Sequence, residues 1–172
     1  MLLYPGIHAL IAHRISHRLY QAGRKVPARA ISLVARWLTG IEIHPGATIG
    51  RRLFIDHGSG VVIGEDAVIG DDVMIYHHVT LGSVGWWRDK SRPVGDRRHP
   101  EIGDHTILGA GVSVLGGVTI GAHSHVGAHS VVTASVPARS RIPALSRVGK
   151  EFGQESGTTS VGHERIRGAA RG

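Results

Sequence analysis

Four side chains that accept or exchange protons lie within one short stretch, IEIHPGATIGRRLFIDHG, at residues 41–58. Glu42 and His44 lie near its start, and the pair Asp56 and His57 lies near its end. An imidazole beside a carboxylate is the arrangement of a general base near neutral pH, because the carboxylate binds one ring nitrogen and leaves the other free to take a proton. The same residues also fit a hydrogen-bonded corner without a catalytic role, and the local pattern leaves both interpretations open.

A second cluster of polar residues lies at the end of an irregular stretch, SVGWWRDKSRPVGDRRHPE, at residues 83–101. A loop of this length within a compact domain is more often functional than accidental. Arg98, near its end, offers a planar fork that suits a carboxylate. Three other basic loop residues are interpreted as solvated cations: Arg88, Lys90 and Arg92. The two aromatic rings, Trp86 and Trp87, are interpreted as shielding a site or packing on a neighbouring subunit.

The elements that position these groups follow from a repeat of six residues. An aliphatic residue, often followed by Gly, recurs at this spacing on both sides of the loop, with one slip of two residues after Asp56. This is the hexapeptide repeat of a parallel β-helix, in which three hexapeptides form one triangular coil. Residues one coil apart stack, so we expect Ile55 beside Ile75 and His57 near His77. The repeat positions are Ile43, Ile49, Ile55, Ile63, Ile69, Ile75, Leu81, Ile102, Leu108, Val114, Ile120, Val126 and Val132.

The two ends of the chain differ from this repeat. Residues 1–40 carry apolar stripes at helical spacing, with a stop at Gly23 and a second helix predicted to begin at Pro27. These helices are expected to cap the β-helix, which spans residues 41–148 with the loop at 83–101 protruding. The repeat fades from about Pro137, and residues 149–172 are polar and rich in Gly, Ser and Thr. The last segment is therefore predicted to be a disordered tail.

Composition narrows the classes of function. The chain of 172 residues contains no cysteine, which excludes disulfides, thiolate metal ligands and an acyl-cysteine intermediate. Its formal charge of +7 would favour a phosphate-bearing ligand, but no basic stripe alternates with aromatic residues as in nucleic-acid-binding proteins. The N-terminus has no apolar run long enough for a signal peptide or a membrane span. The expectation is a soluble cytoplasmic protein.

Together these motifs resemble the serine O-acetyltransferases of the hexapeptide-repeat acyltransferase superfamily, in a short, N-terminally reduced form. The resemblance covers about residues 3–148 and rests on these segments: YPGIHALIAHRISHRLY, TGIEIHPGATIGRRLFIDHGSGVVIGE, VTLG, RHP and ILGAGVSVLGGVTIGAHSHVGAHSVV. It implies a mainly β fold, a left-handed parallel β-helix assembled as a homotrimer. It also implies transfer of an acetyl group from acetyl-CoA to the hydroxyl of L-serine, giving O-acetylserine for cysteine biosynthesis.

The resemblance also implies a role for each polar residue. His57 would be the general base on the serine hydroxyl, and Glu42 would occupy the position of its acidic partner. Asp56 would help to hold serine, while Arg98 and His99 would bind the serine carboxylate. No metal is implied.

Acetyl-CoA would lie along the outer face of the last coils between two subunits, near Ala110, with Ser83 beside its path. Ser83 belongs to LGSVG, where the family has LGGTG. In the family, an N-terminal extension with an Asp-Pro contacts serine and helps to pair trimers. Met1 aligns after that extension, so a hexamer is not predicted. The chain ends in AARG rather than in the isoleucine that docks into a sulfhydrylase, so that complex is not expected either.

Three other functions remain open from the sequence. An O-acetyltransferase of the same superfamily acting on a sugar would keep His57 but would not need Arg98. A zinc enzyme of the carbonic-anhydrase-like β-helix type would use histidines such as His105 and His123. These two lie one coil apart on the same side of the β-helix, whereas a zinc site requires ligands that converge from several sides. A non-catalytic scaffold would need neither His57 nor acetyl-CoA.

Overall fold

The computed structural model describes residues 3–85, 93 and 95–149. Part of the predicted loop, including Trp86, Trp87, Arg88, Lys90 and Arg92, lies outside the described residues. The predicted tail from residue 150 onward also lies outside them.

Two antiparallel helices form the N-terminal part, α1 (Pro5–Gln21) and α2 (Lys25–Thr39). Helix α2 begins two residues before the predicted start, so Pro27 is its third residue; proline is tolerated there because the first N–H groups of a helix have no intrahelical partner. Gly40 ends α2 with a left-handed φ of 72°. Ala9 of α1 packs into the same core as Ile41, so the hairpin covers one end of the structure that follows. Within the described residues, neither helix is long and apolar enough to span a membrane.

The described residues then form fifteen short strands in three parallel sheets, which we call faces A, B and C. Face A contains β1, β4, β7, β10, β13 and β15; face B contains β2, β5, β8 and β11; face C contains β3, β6, β9, β12 and β14. The strands are β1 (Glu42–Ile43), β2 (Thr48–Ile49), β3 (Phe54–Ile55), β4 (Val62–Ile63), β5 (Val68–Ile69), β6 (Met74–Ile75), β7 (Thr80–Gly82), β8 (Glu101–Ile102), β9 (Ile107–Leu108), β10 (Ser113–Leu115), β11 (Thr119–Ile120), β12 (His125–Val126), β13 (Val131–Val132), β14 (Arg141–Ile142) and β15 (Arg147–Val148). The predicted parallel β-helix is confirmed.

The register shows where the coils differ in length. Ile55 pairs with Ile75, which confirms the predicted offset of one coil and places the two extra residues in the corner that contains His57. Ile69 pairs with Ile102, so the long loop is an excursion from one coil and not the end of the solenoid. Every second residue of a strand points inward, and these aliphatic side chains form a continuous buried core.

The coils continue beyond Pro137, where the sequence pattern fades. Val136 bridges to Ile120, and β14 and β15 pair with β12 and β13. The last coil is two residues shorter than the preceding one, so the aliphatic series shifts after Val132 and is hard to follow in the sequence.

The corners between faces explain many of the histidines. The AB corner joins face A to face B, the BC corner joins face B to face C, and the CA corner joins face C to the next strand of face A. Left-handed φ angles of 55–58° occur at several non-glycine corner residues, a conformation in which His, Asp and Asn are enriched. Histidines in this conformation are His57, His78, His105, His123 and His129.

Candidate functional site

The CA corner carries the predicted base. The side chain of His57 is 75% exposed, and its Nε2 lies 3.8 Å from Oδ1 of Asp56. The same Asp56 oxygen accepts a hydrogen bond of 2.9 Å from the hydroxyl of Tyr4, which raises the pKa of Tyr4. Asp56 is therefore fixed by the N-terminal segment, while the imidazole of His57 projects towards solvent.

Glu42 makes different contacts from those of an acidic partner of His57. Its carboxylate forms ion pairs with Arg29 at 2.8 Å and Arg36 at 3.0 Å, both from α2. Among the described residues, the carboxylate within 4 Å of His57 belongs to Asp56. Within one chain, Glu42 thus joins α2 to the first strand of face A.

The AB corner carries Arg98 and His99, which Asp66 fixes in place. One oxygen of the Asp66 carboxylate accepts the backbone N–H of Arg98 at 2.7 Å, and the other accepts the backbone N–H of His99 at 3.0 Å. The second oxygen also binds Nδ1 of the His99 ring. Burial raises the pKa of Asp66, but hydrogen bonds from Arg98 and His99 outweigh burial and hold it below its ordinary value. His99 is only 7% exposed.

A pocket of about 280 Å³ opens at this corner, lined by Tyr20, Gly46, Glu65, Asp66, Arg98 and His99. The Tyr20 hydroxyl donates a hydrogen bond of 2.6 Å to Glu65. This bond lowers the pKa of Glu65, and the charge of Arg98 lowers it further. Carboxylates and a guanidinium thus line one pocket, a combination that suits a zwitterion carrying both charges.

The two predicted groups lie on opposite edges of face A. Asp56 and His57 lie at the CA corner, and Arg98 and His99 lie at the AB corner. One chain therefore brings together the members of each group but separates the two groups by the width of a sheet.

The residues predicted to contact acetyl-CoA are divided in the same way. Ala110 lies at the CA corner, where its carbonyl accepts the N–H of His129 at 2.8 Å. Ser83 follows β7 at the AB corner, and a pocket of about 560 Å³ begins beside it. That pocket is lined by Val84, Asp96, Arg97, Leu115, Gly116, Gly117, Val118 and Thr133.

Sequence comparison decides the family. Over 121 residues the chain is 55% identical to the serine acetyltransferase of Helicobacter pylori (strain ATCC 700392 / 26695), covering 70% of this chain and 67% of that protein. The chain belongs to the serine acetyltransferase family. It is 54% identical to the Mycobacterium tuberculosis (strain ATCC 25618 / H37Rv) enzyme, covering 70% of this chain and 50% of that protein. Residues 99–134 match the family model "Bacterial transferase hexapeptide (six repeats)".

Solved serine acetyltransferases share the fold. The Neisseria gonorrhoeae serine acetyltransferase in complex with serine superposes with a TM-score of 0.73 at 43% identity, covering 81% of this chain and 54% of that chain. Isoform 3 from Entamoeba histolytica, in complex with cysteine, gives a TM-score of 0.75 at 39% identity, covering 90% of this chain and 51% of that chain. This member of the family thus spans about half the length of those structures.

Besides Gly46, three pocket residues with polar side chains were not identified from the sequence of this family member: Tyr20, Glu65 and Asp66. Asp66 lies 33 residues before His99, which is the same offset that pairs Ile69 with Ile102 across the loop. Applying the stacking rule across the loop would have placed Asp66 beside His99. The Tyr20 contact depends on how α1 packs on the coils, for which the sequence gives no signal.

The BC corner shows the predicted stack of His105 and His123. Their rings lie 4.7 Å apart and 9° from parallel, and Nδ1 of His105 is 3.9 Å from Asp72. Among the residues that the structure describes, no group of three or more His, Asp or Glu side chains is placed to hold a metal ion. The corner conformation gives a sufficient structural reason for both histidines.

Proposed function

We propose that this chain transfers an acetyl group from acetyl-CoA to the hydroxyl of L-serine, giving O-acetylserine and CoA. The observation that carries the proposal is the AB-corner pocket, where Arg98 and His99 lie beside Glu65 and Asp66. These residues supply complementary charges for both ends of an amino acid. The 55% identity to a serine acetyltransferase supports the same substrate. A cytoplasmic location is part of the proposal.

In the proposed reaction, His57 accepts the proton of the serine hydroxyl as its oxygen attacks the thioester carbonyl. The carbon–sulfur bond breaks, and the CoA thiolate takes up the proton from His57 and leaves as a thiol. A direct attack is consistent with a chain without cysteine, because no acyl-thiol intermediate is then available. Asp56 is proposed to help hold serine near the base.

We propose that the complete site forms between two copies in a homotrimer. In a cyclic trimer, each contact joins two different surfaces of neighbouring chains. If face A lines the three-fold axis, the CA corner of one chain meets the AB corner of the next. His57 then lies beside Arg98 and His99 of its neighbour, and acetyl-CoA lies between Ala110 of one chain and Ser83 of the other.

Glu42 is proposed to keep the acidic-partner position that the resemblance implies. Its contacts in one chain, to Arg29 and Arg36, support a role in fixing the geometry near the CA corner. Removal of its charge should therefore affect both folding and activity.

The experiment that tests the function measures CoA release from acetyl-CoA with a thiol reagent. L-serine, homoserine and simple sugars are compared as acceptors, and a chain without cysteine gives no thiol background of its own. Serine-dependent release is the expected result. Release with a sugar but not with serine would assign the chain to sugar O-acetylation, and no release with any acceptor would favour a scaffold.

A further inference from the structure

A carboxylate–imidazole hydrogen bond joins Asp66 to His99 at the AB corner, away from the proposed base. The Asp66 carboxylate is ionised at neutral pH, because its pKa lies below the ordinary value. An ionised carboxylate can only accept hydrogen bonds, so the Nδ1 that binds it must carry a proton.

The ring of His99 is also restricted from its other side. It lies directly against the backbone of Gly64, where a Cβ atom would overlap the ring. Asp66 additionally holds the backbone of His99, so neither the ring nor the chain that carries it can turn easily. The charged and titratable groups around this ring are His44, which interacts with it electrostatically from the corner after β1, and Glu65 and Arg98, which line the same pocket.

We propose that Asp66 is a positioning residue that holds His99 in the tautomer with its proton on Nδ1. In a neutral imidazole of this form, Nε2 carries a lone pair and accepts a hydrogen bond. In the pocket, Nε2 then accepts from the α-ammonium group of the amino-acid substrate. This inference rests on the proposed function and specifies how the substrate is oriented.

This role differs from the carboxylate-binding role that the resemblance implies for His99. A lone pair on Nε2 repels a carboxylate, whereas an ammonium group can donate to it. Arg98 remains the group for the carboxylate, since a guanidinium only donates. The carboxylate of Glu65, held by Tyr20, is a further acceptor for the ammonium.

The first test determines the tautomer of His99 directly, by ¹⁵N NMR of the histidine ring nitrogens in the full chain. His99→Gln identifies the His99 signals. The wild type should show a proton on Nδ1 and a bare Nε2, and Asp66→Asn should weaken this preference, because an amide oxygen is a weaker acceptor than a carboxylate. A wild-type His99 protonated on Nε2, or on both nitrogens, would overturn the proposal.

The second test measures KM for serine and for acetyl-CoA separately. Asp66→Asn keeps one of the two carboxylate oxygens, so one of the two backbone N–H groups, that of Arg98 or that of His99, retains its acceptor. It should raise KM for serine about tenfold or more, the effect of losing a hydrogen bond to a charged group, and leave KM for acetyl-CoA nearly unchanged. Asp72→Asn makes the same chemical change at the BC corner and should behave as wild type.

Asp66→Glu is the control that separates loss of the carboxylate from misfolding, because it retains the carboxylate. It should keep the Nδ1–H tautomer and a KM for serine between those of the wild type and Asp66→Asn. An unchanged KM for serine in a folded Asp66→Asn would overturn the proposal while serine acetylation stands. A wild type without serine-dependent activity, but with the expected tautomer, would instead defeat the function and leave the positioning role of Asp66 intact.

Discussion

His57 combines high exposure with a backbone conformation that suits few residue types. Its φ is 55°, and its imidazole contacts Asp56 only at 3.8 Å. A base in a single chain would normally be held by a shorter hydrogen bond to its carboxylate. In the proposed trimer, the neighbouring chain encloses this corner and supplies the missing side of the site.

Removal of the imidazole should therefore abolish most of the activity. His57→Asn retains a residue type that tolerates the left-handed conformation, so folding should be preserved. The rate of serine-dependent CoA release should fall at least about a hundredfold, in line with loss of a general base. A near-normal rate in this variant would contradict the mechanism. His125→Asn, at an exposed position of face C, serves as the matched control and should be fully active.

Helix α1 contributes a buried histidine that affects stability rather than catalysis. His13 is 3% exposed, and neither ring nitrogen makes a hydrogen bond of normal geometry within the described structure, although a weaker contact with the backbone of Ala47 offsets part of the effect of burial. Burial, followed by the nearby charges of His17 and Arg14, lowers the pKa of His13 to about 4. The folded protein thus keeps this imidazole neutral in mild acid, where the unfolded chain protonates it.

The pH dependence of stability should follow from this difference. Because the unfolded state binds the proton more readily between the two pKa values, the free energy of unfolding falls as the pH is lowered from about 6.5 to about 4. Between pH 7 and pH 5 the His13 contribution is about 2 kcal/mol. His13→Leu should remove it, as measured by urea unfolding at both pH values. His8→Leu, at an exposed position of α1, should lose stability in acid as the wild type does; equal losses in all three proteins would contradict the assignment.

The six-residue period predicted the β-helix because one inward aliphatic residue per strand is a strong and repeated signal. The same stacking rule predicted the pairing of Ile55 with Ile75. It did not find Asp66, because the partner of His99 lies on the far side of an insertion that obscures the offset. The contacts of Glu42 with Arg29 and Arg36 depend on how the helices pack on the first coil, and local sequence does not encode that packing.

At the scale of the whole molecule, the proposed base and the proposed carboxylate-binding group lie on opposite edges of face A. A monomer could not bring His57 to Arg98 without disrupting the solenoid, whose coils are fixed by parallel strand pairing. The arrangement therefore predicts that activity depends on assembly. Light scattering should show a trimer, and a fully active monomer would contradict the shared site.

The most direct measurement co-expresses two variants that are each inactive, His57→Asn and Arg98→Ala, and assays serine-dependent CoA release by the mixed trimers. A site between neighbours is intact when the chain that supplies the CA corner retains His57 and the chain that supplies the AB corner retains Arg98. Random assembly of equal amounts should restore about a quarter of the wild-type activity. Trimers of mixed composition that remain as inactive as either variant would show that both residues must come from one chain, and the shared site would be wrong.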